Sequence, residues 1–179
     1  MVEVSATDRW GMRALFVGLV ALVGFAMLLP LDPGPGRIPG PDVILLATFA
    51  WVLRRPEYVP VWLIAVVFLV CDFLFMRPPG LWAAIVVVGS EMLRSRIHQL
   101  RDQSFLLEWA SVASVITAMF IAYSLLLALF LVDQPGLGLT LIRLILTLLT
   151  YPVVVVLAAR TFGVRRMTGG ETDQFGRVR

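Results

Sequence analysis

The chain has 179 residues, 59% of them hydrophobic and only 15% charged, with a formal charge of +3. Its mean hydropathy of +0.90 sets it apart from soluble domains, which run near half apolar and a quarter charged. Every basic residue is arginine, which excludes a Schiff base, a Ser-Lys dyad and the lysine of a phosphate loop.

Trp10 to Leu29 is the first apolar run, and it is long enough for a membrane helix, which takes about 20 residues. It exceeds a signal-peptide core and no Ala-x-Ala cleavage site follows it, so it reads as a span. Pro30-Leu31-Asp32-Pro33-Gly34-Pro35-Gly36 must end it. Val43 to Leu53 is shorter and reaches spanning length only with its flanks, Arg54 and Arg55 snorkelling at its end. Val59 to Met76 is long again and stops at Arg77-Pro78-Pro79-Gly80. Leu81 to Leu93 is the second short run, with Arg94 in the snorkelling position. A polar connection follows, and Ser104 is placed to cap the helix of Phe105 to Val132. Gln134-Pro135-Gly136 breaks the chain before the last run, Leu139 to Phe162. There Pro152 removes one backbone bond and is expected to kink the helix near Thr150 and Tyr151. Residues 1–163 therefore read as one transmembrane bundle and residues 164–179 as a disordered, basic cytoplasmic tail.

Arginine placement sets the orientation. With six spans and the amino terminus inside, twelve arginines fall on the cytoplasmic side and three, Arg37, Arg77 and Arg143, outside. A four-span arrangement, with the two short runs re-entrant or interfacial, gives eleven against four. Both place the termini in the cytoplasm, and the hydrophobicity of the short runs favours six. The expected fold class is an all-α, polytopic membrane bundle.

Candidate chemistry is sparse. Cys71 is the single cysteine and His98 the single histidine, so no internal disulfide, cysteine cage or two-histidine metal site can be built. A serine nucleophile would lack its base, and an aspartyl protease would need a second aspartate at depth. Basic residues are not gathered on a soluble face, which argues against nucleic acid. The expectation is a non-enzyme without cofactor or metal. His98 reads as a surface residue.

Asp72 is the exception, a carboxylate about one turn inside the outer end of a span. Burial costs it free energy, and its place near a helix C-terminus opposes the macrodipole. A pair with Arg143 or with Arg77 would compensate, either fixing the packing or facing a partner. Glu91 and Glu108 read as solvated charges near cytoplasmic ends, Glu91 within reach of Arg94. Ala110, Ser114, Ala118 and Ala122, spaced by four, form a small-residue stripe that allows close helix approach. It suits a seam within the bundle or a docking face for another protein's helix.

Three segments carry a family resemblance. They are PDVILLATFAWVLRRPE (41–57), FLVCDFLFMRPPGLWAAIVVVGSEMLRSR (68–96) and LLTYPVVVVLAARTFGVRR (148–166). In order and spacing they resemble MreD, the rod shape-determining membrane proteins of bacteria. Asp72 and Gly80 fall on that family's aspartate, turn and glycine, and Tyr151-Pro152 on its closing helix. The Arg-Pro-Pro turn departs from it, since relatives have small polar residues there.

The resemblance implies a non-catalytic subunit of the cell-elongation machinery in the inner membrane. Its primary partner would be MreC, and it would work with RodZ, MreB, RodA and the penicillin-binding transpeptidase. It also implies a bundle similar to the substrate-binding subunits of vitamin uptake transporters, which keeps a small-molecule carrier as the alternative. Asp72, Gly80, Arg143 and the small-residue stripe are the expected partner contacts, set within membrane lipid.

Overall fold

The computed structural model describes residues 6–29, 39–100, 103–132 and 136–161. The expected breaks at 30–36 and 134–135, Arg37, the His98 side chain and the tail from 164 lie outside the described residues. The described chain is all helix: α1 (Ala6–Leu28), α2 (Val43–Arg54), α3 (Val61–Leu74), α4 (Leu81–Ser95), the one-turn α5 (Ile97–Leu100), α6 (Phe105–Leu129) and α7 (Leu137–Thr161). Three of these, α1, α6 and α7, are long and apolar enough to cross a membrane. The protein is a membrane helical bundle.

Helix directions follow from contacts at the two ends. Arg143, near the start of α7, meets Asp42 at the start of α2, so these two helices run parallel. Arg54 at the end of α2 meets Glu108 at the start of α6, which therefore runs the other way. Arg94 near the end of α4 donates to the Pro56 and Val59 carbonyls of the α2–α3 connection. Arg13 of α1 donates to the Glu57 carbonyl in that same connection. All six longer helices thus alternate in direction across the bundle.

The two expected short runs are short helices. With 12 residues, α2 rises about 18 Å, well under the roughly 30 Å of a hydrocarbon core. It compensates by being sheathed in protein: every side chain from Ile44 to Val52 is buried. A helix apolar on all faces belongs in a core, and its one interior hydroxyl, Thr48, donates back to the Ile44 carbonyl. Phe16 of α1 packs on Trp51 with ring centroids 5.6 Å apart. By contrast α1 buries only the stripe Phe16, Val20 and Gly24, and its remaining faces are open to lipid.

Gly89 decides how closely α4 packs. A Cβ there would lie 2.5 Å from Met119 Sδ of α6 and 3.4 Å from Phe49 of α2, so a larger residue would require the Met119 side chain to move aside.

Both α3 and α6 end in the same way at the same end of the bundle. Arg77 N donates to the Asp72 carbonyl and Met76 N to that of Phe73; Val132 and Leu131 repeat the pattern on Leu127 and Ala128. These are Schellman closures, but the left-handed position holds Met76 (φ 52°) and Leu131 (φ 53°) instead of glycine. Both side chains project almost fully exposed, an apolar tip on each turn.

Helix α7 continues through Pro152. Proline cannot donate to the Leu148 carbonyl four residues back, and the indole Nε1 of Trp109 in α6 takes that acceptor at 3.0 Å. The lost backbone bond has become an interhelical one.

Candidate functional site

At the end of the bundle bearing the start of α2, the expected Asp72 ion pair is replaced by another. Arg143 donates to Asp42 Oδ2 at 2.8 Å, and Arg77 lies 3.9 Å from the same oxygen. Asp42 also caps α2, its Oδ1 accepting from Leu45 N, while its own N–H donates to Thr147 of α7. One carboxylate therefore joins α2, α7 and the α3–α4 turn.

Asp72 is fully buried and serves the next helix instead. Its Oδ2 accepts from Gly80 N at 3.0 Å and Ala83 N at 3.2 Å, two otherwise orphaned donors at the start of α4. The unfavourable end of α3 is thus the favourable end of α4, where a negative charge complements the dipole. Gly80 has φ +85°, a conformation that side chains disfavour, and this lets its N–H donate to Asp72. Asp72 is enclosed, while Gly80 is half-buried at the turn. Asp72→Leu strands two buried amides and is expected to destabilise the protein by about 2–3 kcal/mol, while Asp72→Asn keeps an acceptor oxygen and loses about 1 kcal/mol or less. Thermal melting in detergent followed by circular dichroism checks this, and equal losses in the two variants would refute the capping role.

The opposite end holds a polar group where solvated charges were expected. Glu108 is 2% and Arg54 6% exposed. Arg54 Nη2 donates to Glu108 Oε1 at 3.0 Å, and the Tyr151 hydroxyl donates to the same oxygen at 2.9 Å. Tyr151 is in turn stacked on Phe105. Arg54 does not snorkel, because the end of α2 is enclosed by α6 and α7. Glu91 does behave as expected, on the surface and 2.9 Å from Arg94.

The small-residue stripe is not an internal seam. Ala110, Ser114 and Ala118 are exposed and Ala122 half-buried, because α6 turns Val112, Val115, Ile116 and Met119 inward instead. Beside the stripe an open, apolar groove of about 280 Å³ runs between α4 and α6. Ala118 and Ala122 form one wall, Ile85 and Val88 the other, and Gly89 with Met119 lies between them.

The chain matches no protein-family model, no curated protein and no solved structure. Its possible chemistry therefore rests on its own geometry. Among the described residues no group of three or more His, Cys, Asp or Glu side chains is placed to hold a metal. The deep carboxylates are each engaged in structural bonds. The groove and the stripe beside it face outward.

Asp42 escaped the sequence reading because it sits at the edge of an apolar run, where charges are normally solvated. The signal that could have found it is the wholly apolar α2: a helix buried on every side must bury its ends as well.

Proposed function

We propose that this protein is a non-catalytic membrane subunit of the bacterial cell-elongation complex, similar to MreD. In this reading its α4–α6 groove receives the transmembrane helix of a single-span partner, MreC. The observation that carries it is the exposed stripe Ala110, Ser114, Ala118 and Ala122 beside an apolar groove. In lipid, association cannot draw on the hydrophobic effect, so small side chains that allow close backbone approach are the favoured contact. The sequence likeness across 41–57, 68–96 and 148–166 supports the choice of partner.

The protein would then cross the inner membrane six times with both termini in the cytoplasm. The arginine bias supports this orientation. Burial of α2 against neighbouring helices supports six passes, since a short helix enclosed by protein need not match the bilayer thickness. RodZ, MreB, RodA and the penicillin-binding transpeptidase would be further members of the assembly.

The carrier alternative draws less support. Ser114, Thr117, Thr147 and Thr150 all donate to carbonyls of their own helices, which leaves few hydroxyls for a ligand.

Filling the groove tests the proposal. Ala118→Phe is expected to reduce recovery of co-expressed MreC by roughly ten-fold or more. Val153→Phe, on an exposed face of α7, serves as the control and should recover MreC as the wild type does. Equal recovery from both, at unchanged melting temperature, would remove the groove from the interface. Depletion of the protein should round up rod-shaped cells.

A further inference from the structure

A second opening lies at the Asp42 end, where α4, α6 and α7 meet beside the α3–α4 turn. It is a cavity of about 150 Å³. Its wall carries Arg77, Arg143 and Trp82, and among the described residues no acidic side chain lines it. Asp42 and Asp72 stand outside that lining, already accepting from Leu45, Arg143, Gly80 and Ala83.

The wall is rich in donors and poor in acceptors. Arg143 spends one nitrogen on Asp42, yet its Nε is buried with no hydrogen-bond partner. Trp82 is only 3% exposed, and its Nε1 is likewise buried without an acceptor. Arg77 approaches Asp42 Oδ2 no closer than 3.9 Å, beyond hydrogen-bond distance. Tyr123 and Thr140 add hydroxyls to the same wall. Buried donors left unmade are costly. Arg77 lies over the Trp82 ring and Arg143 over that of Phe120, so two guanidinium groups and an indole N–H share one wall, a donor set suited to a tetrahedral oxyanion. Ser124 also lines the cavity, and the apolar part of the lining, Pro39, Phe120, Leu127 and Leu139, would suit the glycerol and upper chain of an amphiphile.

We propose that this cavity binds a phosphate group, with Arg77 and Arg143 supplying charge and Trp82 Nε1 a neutral donor. The site is separate from the α4–α6 groove and stands whether or not a partner helix binds there. The phosphate can come from a lipid head group or from a free anion.

Native mass spectrometry of the full chain in detergent micelles, titrated with phosphatidylglycerol or with diacylglycerol of the same chains, tests it. The wild type is expected to retain phosphatidylglycerol in preference to diacylglycerol. Arg77→Gln and Trp82→Phe are each expected to weaken that retention by about ten-fold. Trp82→Phe keeps a ring against Phe120 and Tyr123, so it removes the donor while preserving the packing and decides the matter if Arg77→Gln unfolds. A preference that survives excess inorganic phosphate assigns a lipid head group. Displacement by inorganic phosphate, or a rise in melting temperature with inorganic phosphate alone, assigns a free anion. Equal retention of the two lipids with no response to inorganic phosphate overturns the proposal, as does a preference undiminished in both variants.

Discussion

Arg54→Leu is expected to destabilise the bundle by about 3–5 kcal/mol, the cost of leaving one member of a buried ion pair without its counter-charge. The Glu108 carboxylate would lose its guanidinium while enclosed between α2, α6 and α7. The double variant Arg54→Leu/Glu108→Leu removes the stranded charge along with the pair, so it should recover most of that loss and be clearly more stable than Arg54→Leu alone. Removing only the hydroxyl, in Tyr151→Phe, deletes one bond to Glu108 Oε1 and should cost about 1 kcal/mol. Unfolding in mixed detergent titrations, read by circular dichroism, would rank the three. A double variant less stable than Arg54→Leu would refute the stranded-charge account and show that Glu108 stabilises the bundle without Arg54, as through its bond from Tyr151.

The second large effect is expected at Asp42. Asp42→Leu removes the cap of α2, worth about 1 kcal/mol, and the charge-assisted bond to Arg143, worth about 1.5–3 kcal/mol. The sum is a loss of roughly 2.5–4 kcal/mol, moderated because Arg143 is partly open and can turn away. Asp42→Asn retains the acceptor for Leu45 N and should keep the cap while losing most of the charge interaction. The ordering wild type, Asn, Leu in the same titration is the expected result. Were Asp42→Leu to unfold with the wild type, the join between α2 and α7 would have to rest on apolar packing alone.

Much of the architecture could be read from hydropathy and breakers. The helix starts at Val43, Leu81 and Phe105 coincide with the run boundaries, and Ser104 stands at the N-cap position of α6, although its side chain makes no capping bond. These features are local, and Pro, Gly and a change in polarity announce them. Partner identities could not be read, because they depend on which helices touch. Arg54 and Glu108 lie 54 positions apart, and Asp42 and Arg143 lie 101 apart. Each taken alone looks like a charge left at a membrane surface. Asp72 was recognised as needing compensation, but its answer lay in backbone amides, which have no sequence letter. The stripe in α6 was visible as a spacing of four. Its direction was not, because α6 is apolar on nearly every side and such a helix has no inward face until its neighbours are known.

The two clasped ends of α2 bear on the order in which the chain can mature. Helix α2 emerges from the ribosome early, yet the groups that hold its termini, Glu108 and Arg143, are made long afterwards. Until then its Asp42 and Arg54 have only water and lipid head groups for company, and twelve residues are too few to hold both at opposite interfaces without thinning the bilayer. The contacts that fix both ends of α2 thus come from α6 and α7, and neither can form before those helices are made.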